Sequence, residues 1–195
     1  WMCHELGLDY TANLIGPRTG ETHTEAFLDI NPKGKIPVLV DDELVLSEGA
    51  AIITYLADTY GETGAFVPIH GSHDRARYNQ WLSFIQMELD AHTLYVIRKH
   101  RDLQHLYGKA PAAIETATAG FNKQVAVASK HLKENEYLVG KNFTGADLML
   151  AGILQWAKDY GFDLDPTLTE YTNRQRRRPA YIAANKLNKS IVGLN

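Results

Sequence analysis

Residues 31–56, NPKGKIPVLVDDELVLSEGAAIITYL, hold the feature that most narrows the folds open to this chain. Pro37 stands directly ahead of an apolar run, Val38-Leu39-Val40, and that run turns back within a few residues into a second one ending at Ser47. Proline cannot donate a ladder hydrogen bond, so a strand that begins with it lies where the missing N–H faces away from a partner. Residues 36–40 and 44–47 are therefore expected as two strands joined by Asp41-Asp42-Glu43, a connection too short for anything but an antiparallel hairpin. A helix from about Glu48 to Tyr60 should follow, with Ser47 as its cap, Ile52, Tyr55 and Leu56 as its inward stripe and Gly61 as its stop.

The segments around this hairpin alternate in the same short rhythm. Trp1 to Gly7 reads as the end of a helix, with Gly7 where helices close in a left-handed conformation, and the native chain is expected to extend upstream of it. Tyr10, Ala12 and Leu14 alternate with polar neighbours and predict a half-buried strand. A loop with Gly16, Pro17 and Gly20 leads to a helical turn from Thr24 to Ile30, ended by Asn31-Pro32.

Past a Gly- and Pro-rich stretch the period becomes purely helical, which divides the chain into residues 1–63, a linker over 64–71, and an all-helical part over 72–195. Tyr78, Trp81, Leu82, Ile85, Leu89 and Val96 mark one long helix from about Ser72 to His100. Pro111 opens another, striped by Ile114, Ala117, Phe121, Val125 and Leu132. In NFTGADLMLAGIL, Thr144 and Asp147 have the spacing of a capping box, with Phe143 and Leu148 placed as a hydrophobic staple. The helix they open is apolar on nearly every side and should be the buried centre of the second part. Pro166 and Pro179 punctuate two further short helices.

Bulk properties exclude several classes. A net charge of −3 over 195 residues gives no drive toward nucleic acid or an anionic membrane. No apolar run has spanning length and no signal peptide is evident, and the single cysteine, Cys3, precludes an intrachain disulfide framework. A soluble, cytoplasmic protein is the expectation. Cys3 reads as a core residue, because a reactive thiol needs exposure and an electropositive setting. His92, His100 and His105 lack metal-ligand spacing, so no metal is expected, and the basic run Arg174 to Arg178 reads as a solvated helix end.

The chemistry concentrates at the two ends of the hairpin. A cis bond at Ile36–Pro37 would expose the N–H and C=O of Ile36 to a peptide-like ligand laid alongside as an added strand. Taken alone, Pro37 reads as well as the start of an edge strand, since only about 5–6% of X–Pro bonds are cis. Ser47-Glu48-Gly49 lies at a helix N-terminus, where amides and the dipole attract a carboxylate, while the Glu48 carboxylate can hold an ammonium. Together they match an amino-acid head group. Glu48 alone reads better as a first-turn acid complementing the dipole.

The pattern K-I-P-V-L, a short hairpin, then L-x-E-G-A-A-I-I-x-Y-L resembles the thioredoxin-like domain of the soluble glutathione transferases. RARYNQWLSF, FTGADLMLA and RPAYIAA continue the likeness in the family's order through the helical half. The resemblance implies an α/β thioredoxin-like domain, its first strand upstream of this chain, followed by an all-α domain. It implies glutathione as co-substrate, with Ile36 and Pro37 at its cysteinyl backbone, Glu48 and Gly49 at its γ-glutamyl end, and Lys35 as a further candidate for the glycyl carboxylate. The family usually has Ser after the acid, so Gly49 forgoes a hydroxyl contact.

By the same resemblance the reaction is conjugation of the glutathione thiolate to small hydrophobic electrophiles, with the activating Ser, Tyr or Cys upstream of Trp1, and the protein is a homodimer. A dehalogenase, isomerase or ether-cleaving enzyme, or a non-catalytic domain for protein association, are the alternatives on this scaffold.

Overall fold

Gly7 ends the first helix as its position implies. The computed structural model describes residues 1–15 and 20–190. In it α1 (Met2–Glu5) is closed by Gly7 at φ 63°. The Leu8 N–H donates to the Cys3 carbonyl at 2.9 Å and the Gly7 N–H to the His4 carbonyl at 3.3 Å, the bond pair that satisfies the last carbonyls of a helix. Beyond a 3₁₀ turn at Glu21–His23, α2 (Glu25–Ile30) is capped by Thr24, whose Oγ1 accepts from the Phe27 N–H at 3.3 Å. Gly16 and Pro17 of the expected loop lie outside the described residues.

The strand expected through Tyr10, Ala12 and Leu14 does not form; residues 8–15 carry no regular structure. Alternation fits a chain to a half-buried face, but a strand also needs a ladder partner. Among the described residues the sheet has two strands, β1 (Val38–Asp41) and β2 (Leu44–Ser47), antiparallel with Val38 opposite Ser47. A cleft of about 660 Å³, lined by Leu8 to Asn13 on one side and Pro37 to Asp41 on the other, separates β1 from the segment that would have joined it.

The hairpin is shifted slightly from its expected bounds. Pro37 and Ile36 lie just outside the ladder, and the connection is the two residues Asp42 and Glu43, with Asp42 at φ 50°. Ser47 closes β2, so the N-cap position of α3 (Gly49–Tyr60) falls to Glu48 and not to Ser47. Ala50, Ile52, Ile53, Leu56 and Ala57 form the buried face of α3. Each large aliphatic side chain so covered contributes about 1.5–3 kcal/mol. Gly61 follows at φ −88°; a Cβ there would meet the Ala57 carbonyl oxygen at 2.6 Å, so space and not handedness demands glycine.

Two compact units result: Trp1–Val67 together with the chain from Arg177 onward, and Pro68–Arg176. In the first, α10 (Pro179–Ser190) packs on α1, with the Trp1 and Tyr181 rings edge-to-face at 4.9 Å.

The second unit opens with α4 (His73–Phe84), capped by Ser72, and its helical path continues through a π-helical stretch, Ile85–Leu94, into α5 (Tyr95–Arg101). Within the wider turns Thr93 Oγ1 donates to the carbonyls of Leu89 and Glu88, at 2.7 and 3.1 Å. A mid-helix threonine drawing on backbone acceptors in this way loosens the ordinary ladder. A short α6 (Gln104–Tyr107) precedes α7 (Pro111–Leu132), which buries Ala117, Phe121, Val125 and Leu132.

At the centre lies α8 (Gly145–Asp159), its capping box formed and Leu148, Leu150, Ala151, Ile153 and Leu154 buried. Asp147 reaches back to the Thr144 N–H at 2.9 Å, and Phe143 and Leu148 are both buried. Pro166 is the first residue of α9 (Pro166–Arg176). The basic run is not simply solvated: Arg174 lies over the Tyr137 and Tyr171 rings at 5.5 and 5.6 Å and donates to the Glu136 carbonyl. Among the described residues no helix is long and apolar enough to cross a membrane.

Candidate functional site

The loop ahead of β1 is shaped by Asn31. Its side chain is buried, its Nδ2 donates to the Lys35 carbonyl at 2.7 Å, and its Oδ1 accepts from the Lys33 N–H at 3.2 Å. The Gly34 N–H closes the turn onto the Asn31 carbonyl at 2.9 Å. Gly34 has φ 62°, and a Cβ there would stand 3.1 Å from the Thr22 carbonyl oxygen, so the turn admits no larger residue without displacement. From this anchored turn the chain emerges through exposed Lys35, Ile36 and Pro37, and the Ile36–Pro37 bond is cis.

The hairpin register sets the opposite side of the site. Val38 pairs with Ser47, which brings Pro37 and Glu48 to the same end of the ladder. Glu48 adopts φ 73°, ψ 113°, a region that a residue with a Cβ enters only at a cost of about 1–3 kcal/mol. No side chain caps α3, so the amides of its first turn are not occupied by a protein oxygen of that kind. The Glu48 side chain is 62% exposed and its Oε1 accepts from Lys33 Nζ at 2.6 Å, while the same ammonium donates to Ser47 Oγ at 2.7 Å.

Ile36, Pro37, Glu48 and Gly49 are thus gathered at one end of the hairpin, and Lys35 sits on the adjoining loop with its backbone held by Asn31. Asn31 and Lys33 belong to the constellation too and were not singled out by sequence reasoning. A signal for both existed: the turn-forming Asn-Pro-Lys-Gly that precedes β1.

The cleft beside β1 adjoins this corner at Pro37. At its far end Asp41 accepts from Tyr55 Oη at 2.8 Å and from Tyr60 Oη, and these two hydroxyls hold the Asp41 carboxyl below its ordinary range. Cys3 also lines the cleft. Burial pushes its thiol above the usual value, the opposite of an activated nucleophile.

An antiparallel hairpin entered through a cis-proline, followed by a helix whose first residue abuts a strained acid, defines a thioredoxin-like half, here joined to a helical half. Residues 1–59 match the family model described as glutathione S-transferase, N-terminal domain, and residues 84–179 match the corresponding C-terminal domain. Glutathione S-transferase GstA of Escherichia coli O157:H7 is 30% identical over 181 residues, spanning 90% of this chain and 85% of that protein.

Among solved structures, the glutathione transferase URE2P6 of Phanerochaete chrysosporium, in complex with oxidized glutathione, shares the fold with a TM-score of 0.85 at 24% identity, over 97% of this chain and 89% of that one. A glutathione transferase homolog of Lodderomyces elongisporus, with two GSH per subunit, matches with a TM-score of 0.84 at 26% identity, over 95% and 90% of the two chains. The chain belongs to the glutathione S-transferase family.

Proposed function

We propose that this protein binds glutathione at the Ile36–Pro37 and Glu48–Gly49 corner and conjugates its thiolate to small hydrophobic electrophiles. The observation that carries the reading is Glu48: an exposed carboxylate on strained backbone, immediately before a helix with no side-chain cap. The γ-glutamyl ammonium meets the carboxylate, and its α-carboxylate meets the α3 amides and the positive end of the helix dipole. The Ile36 backbone pairs with the cysteinyl residue as one strand pairs with another. Lys35 takes the glycyl carboxylate. Family relatives that carry glutathione in their structures support the ligand.

On this reading residues 1–63 form the glutathione-binding domain, 64–71 the linker and 72–195 the helical domain. The chemistry requires a side chain that lowers the thiol pKa from about 8.5. The protein works as a cytoplasmic homodimer in detoxification, with no metal.

Titration calorimetry with glutathione tests the site directly: Glu48→Ala should lose most of the affinity of the parent protein, and an isotherm that does not change would reject the corner as the binding site. Activity is tested with glutathione and an aryl halide. Absence of turnover, together with no retention on immobilised glutathione, would instead assign it to protein association.

A further inference from the structure

The charge pair at this corner has no evident purpose in folding. Two long, exposed side chains, 44% and 62% accessible, contribute only about 0–1 kcal/mol when paired in water. The backbone of Glu48 is strained besides. Yet the pair is well directed: Lys33 Nζ donates to Ser47 Oγ at 2.7 Å and to Glu48 Oε1 at 2.6 Å, which uses two of its three N–H donors and fixes the ammonium beside the start of α3. The residue that follows Glu48 is Gly49, which offers an amide but no hydroxyl.

Resting on the glutathione reading above, we propose that Lys33 and Glu48 together form a clamp for a zwitterion. Lys33 contributes the contact to the ligand's α-carboxylate that a side chain at Gly49 cannot make. An α-amino acid head group carries its ammonium and carboxylate on one carbon. Glu48 and Lys33 present the opposite charges in contact with each other, so the two pairs dock head to tail and every charge has two opposite neighbours. With two donors used, Lys33 keeps a third for the carboxylate, and Glu48 offers its second oxygen to the ammonium. The clamp reads the head group as a whole and discriminates against ligands that carry only one of its charges.

Three thiol tripeptides resolve the roles: glutathione, its analogue with the α-amino group replaced by hydrogen, and its analogue with the α-carboxylate replaced by hydrogen. Their affinities are measured by titration calorimetry with the parent protein, Lys33→Met and Glu48→Gln. Lys33→Met should weaken glutathione and the analogue without the amino group by about fivefold, while leaving the analogue without the carboxylate unchanged or tighter. Glu48→Gln should give the mirror pattern.

Unchanged or tighter glutathione binding by Lys33→Met would overturn the clamp, making Lys33 a bystander or a competitor for Glu48. An equal loss for all three tripeptides would overturn it also, because a merely structural lysine cannot tell them apart. If the parent protein binds none of them, the glutathione reading fails and the clamp falls with it.

Discussion

Arg178 holds Glu5 in a two-pronged ion pair across 173 residues of sequence, Nε to Oε1 at 2.6 Å and Nη2 to Oε2 at 2.8 Å. The Glu5 side chain is only 8% exposed, and its Oε1 also accepts from Trp1 Nε1 at 2.8 Å. Burial alone would push this carboxyl up, but the bonds from Arg178 and Trp1 outweigh it and hold Glu5 below its ordinary value. The pair ties the residue just ahead of α10 to α1.

Arg178→Met should therefore cost about 3 kcal/mol at neutral pH, because it strands a mostly buried carboxylate. A carboxyl depressed in the folded state contributes stability that is complete above its unfolded value, about 4.3, and is lost as pH falls through the lower folded value. Urea unfolding of the parent protein should accordingly show stability dropping below about pH 4. The variant should start lower and lose less of it to acid. Parallel losses in the two proteins would mean that Glu5 is not stabilised by Arg178.

Asp147 supports a second prediction. It is fully buried at the start of α8, and four donors converge on it: the Leu138 and Thr144 N–H groups, Thr144 Oγ1 and Tyr171 Oη, all at 2.8–2.9 Å. Burial pushes its carboxyl up while these bonds pull the other way. Asp147→Asn keeps the size but turns one acceptor into a donor facing other donors, so it should cost about 2–3 kcal/mol. Urea midpoints decide it: a loss below about 0.5 kcal/mol would show that the network is dispensable.

The contrast between these residues shows what a sequence can disclose. The helical turn that starts near Thr24, the stop at Gly7, the capping box at Thr144 and the buried stripes of α3 and α7 were legible because each depends on neighbours within a turn or two. The reach of Asp147 to Tyr171, and of Arg178 to Glu5, depends on chain folded back from far away, and no periodicity encodes it. The strand expected over Tyr10 to Leu14 failed for the same reason, since alternation is local and a ladder partner is not. At the candidate site, Ile36, Pro37, Glu48 and Gly49 were marked by their motif. Lys33 was not, because its meeting with Glu48 spans the hairpin, and nothing in a glutamate's own propensities announces φ 73°.

Gly49 gives a third prediction. The first turn of α3 has no side-chain cap, and Gly49 has no positive φ to protect. Gly49→Ser adds a hydroxyl at the carboxylate's expected position, and one hydrogen bond gained there is worth about 1 kcal/mol. Calorimetry should record glutathione binding tightened by about fivefold. Weaker binding would place the γ-glutamyl carboxylate away from the start of α3.

Cys3 should behave as a covered thiol. It is half-buried, and burial raises its pKa, so the thiolate is scarce at neutral pH. Reaction with a small disulfide reagent at pH 7 should run slower than for an unhindered model thiol, and rise about tenfold for each unit of pH until the raised pKa is reached. Prompt reaction at pH 7 would contradict both the burial and its effect.

Glu48→Gly separates what the position does for binding from what it does for folding. At φ 73°, ψ 113° a side chain costs about 1–3 kcal/mol, which glycine relieves. Against that stand the greater freedom of glycine in the unfolded chain, about 0.5–1 kcal/mol, and the exposed Lys33 pair, about 0–1 kcal/mol. The melting temperature should change by no more than a few degrees, while the carboxylate proposed to receive the ligand's ammonium is gone and glutathione affinity should fall more than tenfold, by about 1.4 kcal/mol or more. Loss of binding at undiminished stability is the signature of a residue kept strained for its ligand. A clear fall in melting temperature would show instead that Glu48 holds the turn together.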